Sequence, residues 1–168
     1  MTAITLPWLD EPKFQCFGCS PRNHIGLALT MHRVGDGRIR SEITFSENYA
    51  SYPGVVHGGI VGVLVDEIMG DLLALDRGML AFSTTLRTKF LMPLRVGVPY
   101  TAEARISKEG AGVVMTEADV SSADGEVHVM ANGTYQPIRS DQAKEFMGLD
   151  GADYDRLHHY FDHRIGQS

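Results

Sequence analysis

The chain has 168 residues, of which 43% are hydrophobic, and a formal net charge of −6 at pH 7. This size favours one domain around one core, and the acidic balance argues against a nucleic-acid-binding protein, which would present a basic face. Because no apolar run approaches the ~20 residues that cross a bilayer and the first residues lack a secretion-signal layout, we expect a soluble cytoplasmic protein.

Residues 1–24 are predicted to form an N-terminal extension, in which prolines interrupt any long element. Its Cys-x-x-Cys motif contains the only two cysteines of the chain, Cys16 and Cys19. A zinc site normally needs four ligands, and no second pair exists; His24 and His32 follow no ligand pattern. A redox pair would open a helix in a thioredoxin-like setting, which nothing nearby suggests. We interpret the pair as reduced cysteines packed under a loop and expect no metal.

The main domain is predicted over residues 25–138 and opens with a hairpin. Residues 26–33 and 38–45 alternate apolar and polar side chains around a Gly-Asp-Gly turn signal. Residues 46–56 then form a loop, which we expect to cover a site, since loops at such positions often carry function.

The segment 58–75 is apolar almost all round, which is typical of a helix buried on most sides. It follows a His57-Gly58-Gly59 turn. The first backbone N–H groups of a helix have no internal partner and carry partial positive charge. Donors of this kind form an oxyanion hole where a carbonyl oxygen gains charge during a reaction.

One face of this predicted helix carries Gly59, Gly62, Asp66 and Gly70. Each glycine costs about 1 kcal/mol of helix propensity relative to alanine, so the stripe indicates close approach by another backbone or a ligand. Glu67 is turned roughly 100° away. Asp66 is therefore the candidate catalytic carboxylate; the alternative is a half-exposed helix whose acidic edge meets water.

The helix geometry predicts a dimer. Asp66 lies eight residues beyond Gly58, about 12 Å along the axis, whereas reacting groups must converge within about 3–3.5 Å. An antiparallel copy of the helix would bring Asp66 of one chain near Gly58 of another. A two-fold dimer achieves this and creates two equivalent sites.

After the helix, Asp76-Arg77-Gly78 is a stop signal. Four strand-like runs follow, separated by turn formers: residues 80–92, 98–108, 113–121 and 126–136. A hairpin, a long helix and an antiparallel meander predict an α+β fold with the helix against one sheet face.

The His-Gly-Gly turn, the short apolar run and the Leu64-x-Asp66 that ends it resemble the signature of hotdog-fold acyl-CoA thioesterases. The resemblance is to the PaaI type, within the 4-hydroxybenzoyl-CoA thioesterase superfamily, and it covers roughly residues 16–137. It implies a long central helix wrapped by a curved antiparallel sheet of about six strands, assembled as a homodimer or homotetramer. It also implies acyl-CoA hydrolysis at the dimer interface, with no cofactor beyond the coenzyme A of the substrate.

The resemblance assigns roles to five residues. Gly59, aided by Gly58, would hold the carbonyl oxygen, and His57 would fix the turn or donate a hydrogen bond. Asp66 of the partner chain would act as general base or as nucleophile. Ser83 stands where the family often has Ser or Thr, and would position the water; the alternative is a sheet serine with a local bond.

Substrate contacts are expected from the loop and the helix. The family often has an Asn six residues before the His, where this chain has Ser51, with Asn48 three residues earlier. This departure leaves the polar role of the loop open between the two. Glu67, beside the candidate catalytic carboxylate, is a further candidate.

The strand after the helix adds Ser83, Thr85, Arg87 and Lys89, which alternation would put on one face. The segment 83–110 is locally basic, which suits the phosphates of coenzyme A; the alternative is ordinary solvated charge. Its basic residues are Arg87, Lys89, Arg95, Arg105 and Lys108.

Residues 139–168 form a tail outside the resemblance. An apolar spacing of three, four and four predicts an amphipathic helix, through Tyr154, Leu157, Phe161 and Ile165. Asp155, His159 and His163 share another face of it, but such histidines alone are weak evidence for a metal. We expect a helix that caps the dimer.

Two other functions stay open. A hotdog hydratase or dehydratase would use the His and the carboxylate to move protons on an acyl chain. A non-catalytic acyl-CoA-binding protein would bind its ligand without turnover and use the tail for partner contact.

Overall fold

The computed structural model describes residues 3–35, 37–110, 112–148, 151–153 and 155. The α-helices are α1 (Gly58–Leu72) and α2 (Ser140–Met147), and residues 151–153 and 155 are also helical. The described strands are β1 (Ala3–Ile4), β2 (Met31–Gly35), β3 (Arg38–Thr44), β4 (Ala81–Phe90), β5 (Pro99–Gly110), β6 (Val113–Ser122) and β7 (Val127–Pro137).

The strands form one antiparallel sheet in the order β1-β2-β3-β5-β6-β7-β4. The predicted hairpin and the four later strands are confirmed as β2 to β7. The sequence did not predict β1, because two residues carry no periodic signal. β2 begins later than predicted, since the N–H groups of Leu27 and Leu29 donate to the carbonyls of Phe17 and Gly18 instead of to a neighbouring strand.

The helix α1 begins at the turn that the sequence predicted and ends one turn beyond its regular part. Leu73–Arg77 is a π-helical turn, and Gly78 closes it at φ 63°. A left-handed residue at this position favours glycine. The predicted Asp-Arg-Gly stop is therefore confirmed.

The core lies between α1 and the concave face of the sheet. Five α1 side chains are completely buried: Leu64, Val65, Ile68, Met69 and Leu72. The sheet meets them mainly with small residues, among them Ala102, Ala104 and Ala118, none of which is exposed. Small inward side chains let the helix backbone approach the sheet closely.

The N-terminal segment, residues 5–30, covers a second side of α1. Trp8, Cys19 and Leu29 from this segment are buried in the same core. The extension that the sequence left without regular structure is thus part of the packed domain.

No helix in the described ranges combines the length and apolar composition needed to cross a membrane. The tail helix predicted from Tyr154, Leu157, Phe161 and Ile165, together with His159 and His163, lies outside the described residues. α2 precedes that stretch and lies in the tail 139–168, which was expected to be helical, although a separate helix at these residues was not predicted. Phe146 on α2 packs edge-on against Phe82 of β4, with ring centroids 5.3 Å apart.

Candidate active site

The start of α1 is exposed and capped by its own histidine. His57, in extended conformation, is the N-cap, and its Nδ1 accepts a hydrogen bond from the Gly59 N–H at 2.9 Å. Because Nδ1 accepts this hydrogen bond, Nε2 is the ring nitrogen that carries a proton. His57 fixes the turn, as predicted, but in this protomer it also engages the Gly59 N–H that was the expected oxyanion donor.

Asp66 is half-buried on α1 and is held by a tyrosine from the sheet. The Tyr135 hydroxyl lies 2.9 Å from Asp66 Oδ1 and 3.1 Å from the Asp66 carbonyl oxygen. One hydroxyl thus orients the carboxylate and meets the helix backbone. Burial, followed by the negative charge of Asp66, raises the pKa of Tyr135 well above its usual value, so the phenol stays protonated and donates.

Sequence reasoning missed Tyr135. The sequence signal that could have revealed it is the alternation of β7, which places Val129, Ala131, Gly133 and Tyr135 on the inward face. A buried tyrosine needs a partner for its hydroxyl, and this one is opposite the helix. Gly133 makes room for the ring, since a Cβ there would lie 2.6 Å from Tyr135 Cε2.

Ser83 pairs with Tyr135 in the β4–β7 register. Directly opposed residues of neighbouring strands project from the same face, so Ser83 shares the α1-facing side with Tyr135. Ser83 is itself exposed, and its role in positioning the water stays a prediction.

The prediction that Ser83, Thr85, Arg87 and Lys89 share one face is wrong. A β-bulge between Ser83 and Thr85 shifts the register, so that Thr85 is opposite Thr134 while Ser83 stays opposite Tyr135. An extra residue on one strand moves every later side chain of that strand to the opposite face of the sheet. Thr85, Arg87 and Lys89 therefore lie on the outward face of the sheet.

The basic segment is partly neutralised. Arg105 makes ion pairs with Glu117 at 2.7 Å and Asp119 at 2.8 Å, which are cross-strand neighbours on β6. Arg87 and Lys89 are exposed on β4. Of the predicted phosphate-binding residues, these two are better candidates than Arg105.

The loop candidates are exposed and near the start of α1. Asn48 lies in a 3-10 turn, Glu47–Tyr49, and the Tyr49 carbonyl accepts a hydrogen bond from the His57 N–H at 2.8 Å. The Ser51 N–H donates to the Val55 carbonyl at 2.8 Å, so Ser51 closes its own loop.

Glu67 points to the N-terminal segment, away from Asp66. The Cys16 thiol lies 2.9 Å from Glu67 Oε1. Burial, followed by Cys16, raises the pKa of Glu67 to about 8, and the hydrogen bond with Cys19 is the main cause that lowers the pKa of Cys16. These contacts do not test the predicted substrate role of Glu67. They show that its carboxylate is hydrogen-bonded to Cys16.

A cavity of about 220 Å³ lies beside Glu67, between the second half of α1, the N-terminal segment and the start of β4. Its wall is mostly apolar, with Glu67 and Asp71 among the polar exceptions. It is lined by Trp8, Phe14, Cys16, Glu67, Gly70, Asp71, Ala74, Met79, Leu80, Ala81 and Met147.

The glycine-bearing face of α1 and the β4 edge are both open in the protomer. A Cβ added at Gly62 would meet nothing within 4 Å, and eight of the ten β4 residues are exposed. The exposed residues include Leu86 and Phe90, at 38% and 53%. Asp66 and the His57 turn therefore border an uncovered surface.

Two sequence relatives are esterases or thioesterases by name. A Saccharolobus solfataricus protein named "Putative esterase SSO2140" is 34% identical over 106 residues, covering 62% of this chain and 74% of the relative. Acyl-coenzyme A thioesterase 13 of Homo sapiens is 25% identical over 95 residues, covering 56% of this chain and 68% of the human protein.

Solved structures share the fold. Protein RHA08564, a thioesterase superfamily protein, aligns with a TM-score of 0.68 and 26% identity over 72% of this chain; the match spans 62% of that protein, less than two thirds of its length. The smu.793 protein of Streptococcus mutans, solved bound to acetyl-CoA, aligns with a TM-score of 0.61 and 19% identity over 66% of this chain and 88% of that one.

These likenesses agree with the helix-on-sheet architecture. The fold is the α+β hotdog fold that the resemblance implied. A family model described as the thioesterase superfamily also matches residues 53–128, which hold the His57 turn, α1 and the meander up to the start of β7. The chain belongs to the thioesterase superfamily.

Proposed function

We propose that this protein hydrolyses an acyl-CoA thioester to the free acid and coenzyme A at the interface of a homodimer. The observation that carries the proposal is the oriented carboxylate, with Asp66 Oδ1 2.9 Å from the Tyr135 hydroxyl on the open, glycine-bearing face of α1. Superfamily membership supports thioester hydrolysis in general. The acetyl-CoA bound to the Streptococcus mutans protein supports coenzyme A as the carrier.

The dimer follows from what one protomer lacks. Asp66 and Gly58 are about 12 Å apart along one helix, so a single α1 cannot bring a base to an oxyanion at its own start. The free edge of β4 can pair with the β4 of a second copy, which would continue the sheet and cover Leu86 and Phe90. Unpaired strand edges with exposed apolar residues favour such pairing. The two-fold then sets each Asp66 beside the other subunit's helix start.

Three groups at the start of α1 hold the acyl oxygen. The acyl oxygen accepts hydrogen bonds at the start of α1 from the Gly58 and Gly59 N–H groups, displacing His57 Nδ1 from Gly59, with His57 Nε2–H as a further donor. As carbonyl addition proceeds, the electron pair moves onto this oxygen, where the helix start stabilises it. Collapse then breaks the C–S bond, and the coenzyme A thiolate leaves and takes up a proton.

Asp66 acts in one of two ways. As general base it removes a proton from the attacking water, which Ser83 positions from β4. As nucleophile it forms a mixed anhydride that water then hydrolyses. In both routes Tyr135 keeps Oδ1 oriented and leaves Oδ2 for the substrate.

In the proposed complex, the bound coenzyme A extends from the site across the loop and the sheet. Asn48 and Ser51 border the helix start, where the pantetheine arm would pass. Thr85, Arg87 and Lys89 lie on the outward side of the β-bulge, so they suit the phosphate end of a ligand longer than the site itself. Cationic side chains at that end favour phosphate binding.

The test follows thiol release from short, medium, long and aromatic acyl-CoAs. We expect turnover with at least one class and a loss of about 10²–10⁴-fold in kcat for Asp66→Asn, because the base or nucleophile is removed. Glu42→Gln, an exposed carboxylate on β3, serves as the control and keeps wild-type turnover. Unchanged turnover in Asp66→Asn would exclude the assignment.

The same preparation separates the two rival functions. Hydration of an enoyl thioester without thiol release would favour a hydratase. Tight acyl-CoA binding without any turnover would favour a binding protein.

A further inference from the structure

The two cysteines of the Cys-x-x-Cys motif and a glutamate distant in sequence converge on one side of α1, away from Asp66. One ligand atom from each of Cys16, Cys19 and Glu67 lies within 4.8 Å of the other two. Cys16 Sγ is 2.9 Å from Glu67 Oε1. The Cys-x-x-Cys motif, which the sequence left without a third ligand, obtains one from the helix.

Both sulfurs accept N–H hydrogen bonds. The Gly18 N–H donates to Cys16 Sγ at 3.3 Å, and the buried Trp8 indole N–H donates to Cys19 Sγ at 3.4 Å. Donors of this kind stabilise negative charge on sulfur and orient ligands from the outer shell of a metal site.

Asp71 adds a second carboxylate near the two cysteines and Glu67. It is 7% exposed, and its Oδ2 has no hydrogen-bond partner among the described residues. It follows Glu67 by one helical turn, and side chains four residues apart are neighbours on a helix. Asp71, Glu67 and Cys16 all line the cavity beside α1. Buried carboxylates are normally paired or bind a metal, and this one has an unused oxygen.

The backbone is built to let Glu67 reach the cysteines. A Cβ at Gly18 would lie 2.2 Å from Glu67 Cδ, so a larger residue there would displace the Glu67 carboxylate from this position. The close approach brings Glu67 to both sulfurs at once.

We propose that Cys16, Cys19, Glu67 and Asp71 form a structural Zn²⁺ site that ties the N-terminal segment to α1. Two thiolates and two carboxylates are ordinary zinc ligands, and closed four-ligand sites are structural. Metal–ligand distances of about 2.0–2.3 Å correspond to ligand–ligand distances of about 3.3–3.8 Å in a tetrahedron. The ligand atoms of Cys16, Cys19 and Glu67 already lie within 4.8 Å of one another and need to contract by about 1–1.5 Å. Asp71 would supply the fourth ligand from the next turn of α1.

The site is independent of the thioesterase proposal, since none of its ligands acts in the reaction. It departs from the sequence-based expectation of no metal because the two carboxylates come from a helix some fifty residues away. Sequence spacing cannot reveal such ligands.

The first test uses the full chain, reduced and stripped with a chelator, and titrates it with Co²⁺ followed by Zn²⁺. We expect one Co²⁺ per chain with a sulfur-to-cobalt charge-transfer band and the visible bands of a tetrahedral ion, both displaced by Zn²⁺. Because the chain has only two cysteines, a thiol count with an aromatic disulfide reagent reports this site alone. Bound Zn²⁺ should slow the reaction of both thiols and raise the unfolding temperature.

Variants identify the ligands. Cys16→Ser/Cys19→Ser should abolish the cobalt–thiolate band, and Glu67→Gln and Asp71→Asn should each weaken Zn²⁺ binding by about 100-fold or more. Glu42→Gln is the control with unchanged affinity. No thiolate band in the wild-type protein, equal thiol reactivity with and without Zn²⁺, or full affinity in the double cysteine variant would overturn the proposal. The wild-type measurements decide it even if a variant fails to fold.

Discussion

At the scale of single residues, the pairing of Tyr135 with Asp66 is the contact on which the proposed chemistry depends. A neutral phenol opposite a carboxylate fixes the carboxylate's rotamer without neutralising its charge. The same hydroxyl is also near the Asp66 carbonyl, so it joins the sheet to the helix at the point where the carboxylate leaves it.

We predict that Tyr135→Phe lowers kcat by about 10-fold with little change in KM, because a positioning group is lost while the carboxylate remains. Stability should fall by about 1 kcal/mol, the usual contribution of one hydrogen bond. Steady-state kinetics and urea unfolding measure the two effects. Tyr100→Phe is the matched control: this buried tyrosine accepts a hydrogen bond from the Arg95 N–H at 2.9 Å, and its loss should reduce stability without lowering kcat. Equal kcat losses in the two variants would contradict a positioning role.

A second residue-scale prediction concerns Gly18. Gly18→Ala should destabilise the protein by about 1–3 kcal/mol, since the new methyl group forces Glu67 out of its place. Urea unfolding of the single variants and of Gly18→Ala/Glu67→Ala forms a double-mutant cycle. The cost should largely vanish when Glu67 is already truncated. A Gly18→Ala cost that persists in the double variant would mean that the clash is not with Glu67.

At the scale of elements, the different faces of α1 and of β4 have different surroundings. One side of α1 packs on the sheet and another on the N-terminal segment, while the face with Gly62 is uncovered. The β-bulge in β4 divides its side chains, so that Ser83 faces the helix and Arg87 faces outward. Both elements therefore present a catalytic side and a binding side that the plain alternation of the strand did not predict.

The open face of α1 gives a prediction in which the stability of the protomer rises while dimer formation is lost. Gly62→Leu should stabilise the isolated protomer by about 0.5–1 kcal/mol, because leucine is the better helix former. It should also prevent the dimer, because a bulky side chain blocks the close approach of a second helix. Light scattering after gel filtration and chemical unfolding measure the two effects. Glu145→Leu, which adds the same side chain to exposed α2, should leave the dimer intact; a dimeric Gly62→Leu would refute the proposed helix contact.

At the scale of the whole molecule, two adjacent carboxylates on one helix serve different neighbourhoods. Successive residues are turned by about 100°, so Asp66 meets Tyr135 of the sheet while Glu67 meets Cys16 of the N-terminal segment. The reaction and the proposed metal site thus share a helix without sharing a ligand. Loss of the proposed metal should therefore lower the stability of the protein, and should affect the position of the Asp66 carboxylate only indirectly, through α1.

The amino-acid sequence alone determined the order of the elements from β2 to β7, the start and stop of α1, and the face of α1 on which Asp66 lies. These follow from local rules: alternation in strands, glycine at turns and the 3.6-residue repeat of a helix. Only the tertiary structure decided that Tyr135 orients Asp66, that a β-bulge separates Ser83 from Arg87, and that Glu67 joins the two cysteines. Each of these depends on which distant residues pack together, and the period of a single element carries no information about its neighbours.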